Sequence, residues 1–190
     1  MGIGNLTKTK AQRVIGIDAS TNSLAFAVFE DDKPVECDEI FFEGKTVFER
    51  LLDAKEKTAK LVADGRLQAD YICIESAVMV RNVQVAIDLA YVYGAIIGEL
   101  MVTNPEVHKV APISWQSGIG NPNLKPAEKL KLHQDYPGKS KTWYLARGRE
   151  IRKARTLAIA REFFPIESNS DNIGDAVGLA LFVTKSLTRR

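Results

Sequence analysis

Apolar residues crowd Val14 to Ala19 and again Ser23 to Glu30, with the short polar stretch "ASTN" between them. That pattern predicts two strands joined by a hairpin-like turn. "DDKP" reads as a second turn, and Val35 to Phe42 as a third strand completing an antiparallel meander. From Lys45 to Ala63 the period changes. Val47, Leu51, Leu52, Ala59, Leu61 and Val62 fall on one side of a helix. "YICIESA" is a fourth strand, apolar throughout, as a central strand covered on both faces should be. Asn82 to Thr103 is a long helix with little polar face, so it needs cover on more than one side: the sheet on one, and a second helix or second subunit on another. Val107 to Ala111 is a fifth strand, ended by Pro112. Residues 121–146, rich in Pro, Lys and aromatics, read as an ordered loop or insertion. Arg147 to Phe164 is a basic helix stopped by Pro165. Asp171 to Lys185 is a last helix, with Ser170 or Asp171 as N-cap.

Composition narrows the class. A length of 190 residues with 45% apolar content suits one domain with a sizeable core, here residues 14–185. Cys37 and Cys73 make no disulfide framework, and Cys73 sits in an apolar run as a buried, reduced thiol. The first dozen residues carry no apolar signal region. The most apolar stretch, Val83 to Val102, contains Gln84, Asp88 and Glu99, which argues against a membrane span. A soluble protein of a reducing compartment, with no membrane partner, is expected.

Three acids stand where element ends can bring them together. Asp18 ends the first strand, although a carboxylate is costly to bury there. Glu75 closes the fourth strand, and Asp175 lies in the first turns of the last helix. Singly, each has a plain reading: a turn residue, a solvated strand end, a favourable dipole contact. Together they would repel and raise one another's pKa. A divalent cation with hard oxygen ligands, Mg²⁺ above all, relieves that repulsion. Two such ions about 4 Å apart would activate water and stabilise the leaving oxygen of a phosphodiester.

The order of these pieces resembles the RuvC family of Holliday-junction resolvases, within the ribonuclease H-like fold. "GIDASTNSLAFAVFE" is similar to the family's first strand, catalytic Asp and hairpin. "YICIESAVMVRNVQVAIDLAYVYGAIIGEL" is similar to its catalytic Glu, loop and long helix, "APISWQSGIGN" to the following strand and turn, and "DNIGDAVGLAL" to the C-terminal acidic motif. The resemblance implies an α/β fold with a mixed five-stranded sheet flanked by helices. It implies a metal-dependent, homodimeric endonuclease that makes paired nicks in four-way DNA. Asp18, Glu75 and Asp175 match three of the family's four metal-binding acids. The fourth place, commonly Asp or His, is Asn172 here, with Asp171 one residue earlier. Positions three and four apart share a helix face, so either could supply the fourth ligand, and charge favours Asp171. Val78 stands where bacterial relatives often carry an aromatic, and residues 121–146 exceed the bacterial segment. Those departures suggest a divergent, bacteriophage-type branch working in the bacterial or host cytoplasm, with Mg²⁺ or Mn²⁺, two ions per site.

The net charge of +2 hides an asymmetry. Residues 121–161 hold eleven Lys and Arg against three acids, about +8, leaving the remainder at about −6. Clustered cations suit phosphate contact. Lys139, Lys141, Arg147, Arg149, Arg152 and Lys153 are the expected DNA contacts. Trp143 is set to stack on bases, with Tyr136 and Tyr144 beside it, and Arg81 and Lys109 are further candidates. Solvated basic faces and a Trp that merely anchors its loop are the plain alternatives. Three other functions compete: a branched-DNA-binding module with weak or no cleavage, an RNA–DNA hybrid nuclease, and a nucleotide-binding protein of the actin and sugar-kinase type. "GIDASTNS" also resembles the first phosphate loop of that last superfamily, but the chain is short for its two lobes.

Overall fold

The computed structural model describes residues 12–76 and 82–187. Its strands are β1 (Arg13–Ala19), β2 (Ser23–Glu30), β3 (Lys33–Phe41), β4 (Tyr71–Glu75) and β5 (Glu106–Val110). Its helices are α1 (Val47–Ala63), α2 (Val83–Leu100), α3 (Pro112–Gly118), α4 (Pro126–Asp135), α5 (Lys141–Arg161) and α6 (Asp171–Leu187). The strands form one sheet in the order β3-β2-β1-β4-β5. β1, β2 and β3 pair antiparallel, whereas β4 lies parallel to both β1 and β5. This is the expected mixed five-stranded α/β sheet.

Local chemistry sets the corners. The Ser20 hydroxyl accepts from the backbone N–H groups of Asn22 and Ser23, closing the β1–β2 turn. Asp31 and Asp32 take φ of 49° and 65°, the left-handed pair that a two-residue hairpin requires. Thr46 and Glu49 form a capping box that starts α1. The Asn82 side chain accepts from the N–H groups of Gln84 and Val85 and starts α2.

Two apolar layers cover the sheet. On one face Ile15, Ile17, Leu24, Phe26, Ile72 and Ile74 pack under α1 and α2. On the other, Val14, Ala25, Ala27, Phe29 and Cys73 meet α6, with Trp115 of α3 and Ala160 of α5 in the same cluster. Small residues let α6 lie close. A Cβ on Gly16 would stand 2.1 Å from the Ala176 carbonyl oxygen, so only glycine admits the helix at that point of β1.

Three differences from the sequence reading have physical causes. Residues 121–146 are not a loop. Pro126 opens α4, and α5 begins at Lys141 under a Ser140 cap, so the basic region is a helical hairpin. α3 is a seven-residue helix starting at Pro112, where the proline ends the strand and also supplies a first helical position. Finally, the sheet and α1 cover α2 as expected, but part of its apolar surface is left open. Val92, Ile96 and Leu100 are buried, whereas Val83, Val85, Ile87 and Tyr91 are exposed, Tyr91 with its ring 6.0 Å from that of the exposed Phe48 of α1. By length and composition alone, Val83–Thr103 would also suffice to cross a membrane. In this fold it packs on α1 and the sheet. Cys37 and Cys73 are free thiols, half-buried and buried.

Candidate active site

Sheet register builds the site. Ile17 pairs with Ile74, so one step further along the parallel strands Asp18 lies level with Glu75. Across the antiparallel side Asp18 faces Ala25, and Ala25 faces Glu39. Residues level with one another share a face of the sheet. Glu39, Ala25, Asp18 and Glu75 thus form a row over four strands, on the face that carries α6. Ala25 leaves room at the centre of the row, and the close seat of α6 over Gly16 brings Asp175 down onto it.

The electrostatics match such crowding. Burial, then the charges of Asp175 and Glu75, push the Asp18 carboxyl up to about 8, with Glu39 adding to the shift and Lys153 opposing it. Burial, then Glu75, push Asp175 up to about 7; Asp171 adds to this, and Lys153 and Arg152 oppose it. Glu75 is also raised, chiefly by burial, against the stabilising Trp115 hydrogen bond and the Arg152 charge. Three carboxylates that resist ionisation, all through burial and two also through their neighbours' charge, are a site short of positive charge.

Partners orient each acid. The Trp115 indole N–H donates to Glu75 Oε2 at 3.0 Å. Trp115 is itself fully buried against α6, where a Cβ on Gly178 would come within 2.5 Å of its ring. Lys153 Nζ lies 3.0 Å from Asp171 Oδ2. Ser170 Oγ donates to Glu39 Oε2 at 2.6 Å and accepts from the Ile173 N–H at 3.3 Å, so it caps α6 while tying that helix to β3. Asn172 Nδ2 donates to Glu39 Oε1 at 2.7 Å and to Ser23 Oγ at 3.3 Å. The all-oxygen donor set fits a hard divalent cation. As the side chains stand, no group of three or more His, Cys, Asp or Glu among the described residues is arranged to hold a metal ion. Glu75, Asp171 and Glu39 are each held by a different partner.

The sequence-expected residues therefore separate. Asp18, Glu75 and Asp175 are brought together. Asp171 faces Lys153, and Asn172 is committed to Glu39 and Ser23. Arg152 and Lys153, expected as DNA contacts, act on the acids themselves. Lys141 and Arg149 line a cleft between α4 and α5. Lys139 sits 5.8 Å over the Trp143 ring, which packs 5.2 Å from Tyr136. Trp143 thus braces the turn between the two helices. Arg147 pairs with Glu150 at 2.7 Å. Lys109 is level with Ile74, whose side chain lies in the α1–α2 layer, so it points to the face opposite the acids. Arg81 and Val78 lie outside the described residues. Sequence reasoning missed Glu39 and Trp115. Glu39 shares the alternation phase of Cys37 and Ala25's partner position, a signal legible only once strand register is known. Trp115 had no signal, because the helix that carries it was not expected.

No protein-family model matches the chain, and no curated protein matches it in sequence. Solved structures do. The chain is similar to Thermus thermophilus RuvC in complex with a Holliday junction substrate, with a TM-score of 0.66 over 93% of this chain and 96% of that one, at 12% identity. A second Thermus thermophilus RuvC structure gives 0.60 over the same shares, also at 12% identity. The yeast mitochondrial Holliday junction resolvase Ydc2 gives 0.50 over 94% of this chain and 80% of that one, at 12% identity. Identity this low speaks to architecture alone, and on that ground the chain has the RuvC-type, ribonuclease H-like fold.

Proposed function

We propose that this protein is a divalent-metal-dependent endonuclease that resolves four-way DNA junctions by paired nicks. The observation that carries this reading is the convergence of Asp18, Glu75 and Asp175, from three elements far apart in sequence, with two of the three carboxyls pushed up to about 8 and about 7. Asp18, Glu75 and Asp175 would hold the metal, with Asp171 as a fourth donor once released from Lys153. Bound there, Mg²⁺ or Mn²⁺ supplies Lewis acidity that lowers the pKa of an attacking water and stabilises a leaving oxygen.

The chain's own residues do the rest. Trp115 fixes the rotamer of Glu75 and shields one oxygen from water. Glu39 holds the start of α6 through Ser170 and Asn172, and so sets where Asp175 stands. Arg152 and Lys153 place positive charge beside the acids, where a phosphate entering from solvent meets less repulsion. Of the similar structures, one is named a Holliday junction resolvase and another is in complex with a Holliday junction substrate, which supports the substrate class. The exposed apolar face of α2 and α1 supports a homodimer, whose two-fold symmetry would suit two symmetric cuts. Such an enzyme works in the bacterial cytoplasm, or in that of the host if phage-encoded.

The test is a synthetic four-way junction incubated with and without Mg²⁺. Paired, symmetric nicks that need the metal support the reading, and intact strands at every metal concentration reject it. A second reading, a branched-DNA-binding module without cleavage, is favoured by one observation. Lys153 occupies Asp171, and Asn172 brings no charge to the fourth place. Junction binding with no nicks, identical for wild type and Asp18→Asn, selects it.

A further inference from the structure

A cleft of about 730 Å³ opens between α4 and α5, outside the acidic row. Its lining has two characters. Lys129, Lys139, Lys141, Arg149 and Arg152 give it cations, and no acid lines it. Leu124, Leu132 and Leu145, with the Tyr144 ring, give it an apolar wall. Lys129, Lys141 and Arg149 form no ion pair among the described residues, whereas Arg147 and Arg155 nearby are neutralised by Glu150 and Glu128. Repelling cations left without counter-ions around an apolar hollow match a ligand that has phosphate at its edge and a flat apolar body.

Size and place narrow that ligand further. The volume lies within the range of about 300–1,000 Å³ typical of small-molecule sites, far too small for a paired helix. Arg152 belongs both to the cleft and to the acid centre, where its charge acts on Glu75 and Asp175. Its Nε is buried with no hydrogen-bond partner. A buried cationic donor left unsatisfied at the junction of the two sites points to a phosphate oxygen as its missing partner. The hairpin is not loosely attached there. Asn121, fully buried, donates to the Arg152 carbonyl oxygen at 2.8 Å and to Thr156 Oγ1 at 2.9 Å, locking the entry to α4 onto α5.

We propose that the α4–α5 cleft receives one unpaired nucleotide of the DNA strand next to the scissile phosphate, with its base against Tyr144 and the leucines and its phosphates on the cationic rim. The inference rests on the nuclease reading and deepens it. The hairpin then selects DNA in which a base is free to leave the stack, which a branch point provides and continuous duplex does not.

The experiment measures binding by fluorescence anisotropy in EDTA. It uses four-way junctions that carry one extra unpaired nucleotide at the branch, either intact or abasic at that nucleotide. Wild type should bind the abasic junction about tenfold more weakly, the worth of one lost base contact. Two variants keep the test sharp. Leu145→Trp fills the cleft from an exposed position, and Tyr144→Leu removes the ring. In both, the intact and abasic junctions should bind alike. Equal binding of the two junctions by wild type overturns the proposal, as does a difference that survives both variants. Tighter binding of a single-stranded RNA than of DNA of the same sequence also overturns it. Cleavage is read in parallel with Mg²⁺. A junction that is cut yet indifferent to the missing base rejects the cleft and spares the nuclease reading. Base-dependent binding with no cleavage does the reverse.

Discussion

The acid centre and the basic hairpin handle like charges in opposite ways. At the sheet, burial raises the pKa of Asp18, Glu75 and Asp175, and repulsion between neighbouring carboxylates adds to the rise at Asp18 and Asp175. On α4 and α5 the cations are spread over exposed helix faces, where solvent screens them. Burial makes the difference. The same unit of charge that costs little on the hairpin is strongly disfavoured between β1, β4 and α6. On the proposed function, the acid centre would take a cation at short range, and the hairpin a polyanion at longer range. Arg152 and Lys153 stand at the seam between them.

The comparison breaks most visibly at Asp18. Asp18→Asn should slow junction cleavage about 1,000-fold or more while leaving junction affinity intact or improved, since it removes a negative charge from the path of the DNA. Cleavage assays beside binding isotherms check this. If cleavage survives, the acids are not the chemical centre. Trp115→Phe should come next: outer-shell partners of metal-binding carboxylates are worth about 10- to 100-fold in activity. Because a hydrogen bond to a charged group is lost, stability should also drop by about 2 kcal/mol, measured by urea unfolding. On the other side, Lys141→Ala with Arg149→Ala should weaken junction binding more than it slows single-turnover cleavage of bound junction. It should reduce the slope of log affinity against log salt by about 2. An unchanged slope would mean that the hairpin does not touch phosphates.

A further expectation concerns pH. Asp18 and Asp175 have folded pKa values of about 8 and about 7, above the value of about 3.9 expected for an unfolded aspartate. The folded state then holds more protons than the unfolded state between those limits, so these two groups favour folding at low pH. That contribution fades as pH rises from about 4 towards 8. In EDTA, Tm should therefore fall steadily as pH rises across that window. Mg²⁺ should flatten the fall, because a cation replaces the protons. Asp18→Asn should flatten it without metal. A Tm that ignores both the metal and the substitution would separate the acids from any common site.

Much of this architecture was legible in the chain. β1 to β5 and helices α1, α2 and α6 follow from hydrophobic period, and the start of α6 from the Ser170 cap, because those signals act within a few residues. The three principal acids were legible too, each lying at the end or start of an element. α3 and α4 were missed. α3 is short, and α4 buries Leu132 alone, so neither leaves a periodic stripe to read.

The sequence by itself thus determined the order of the elements, the apolar phase of each strand, and which carboxylates end them. Only the tertiary structure decided which acids share one space. Nothing local links Glu39 to Asn172, which are 133 positions apart, or Trp115 to Glu75, 40 apart. Those pairings depend on strand register and on how deeply α6 sinks over Gly16 and Ala25. Both are settled by side-chain volume meeting across the core, a property of the folded whole and not of any segment.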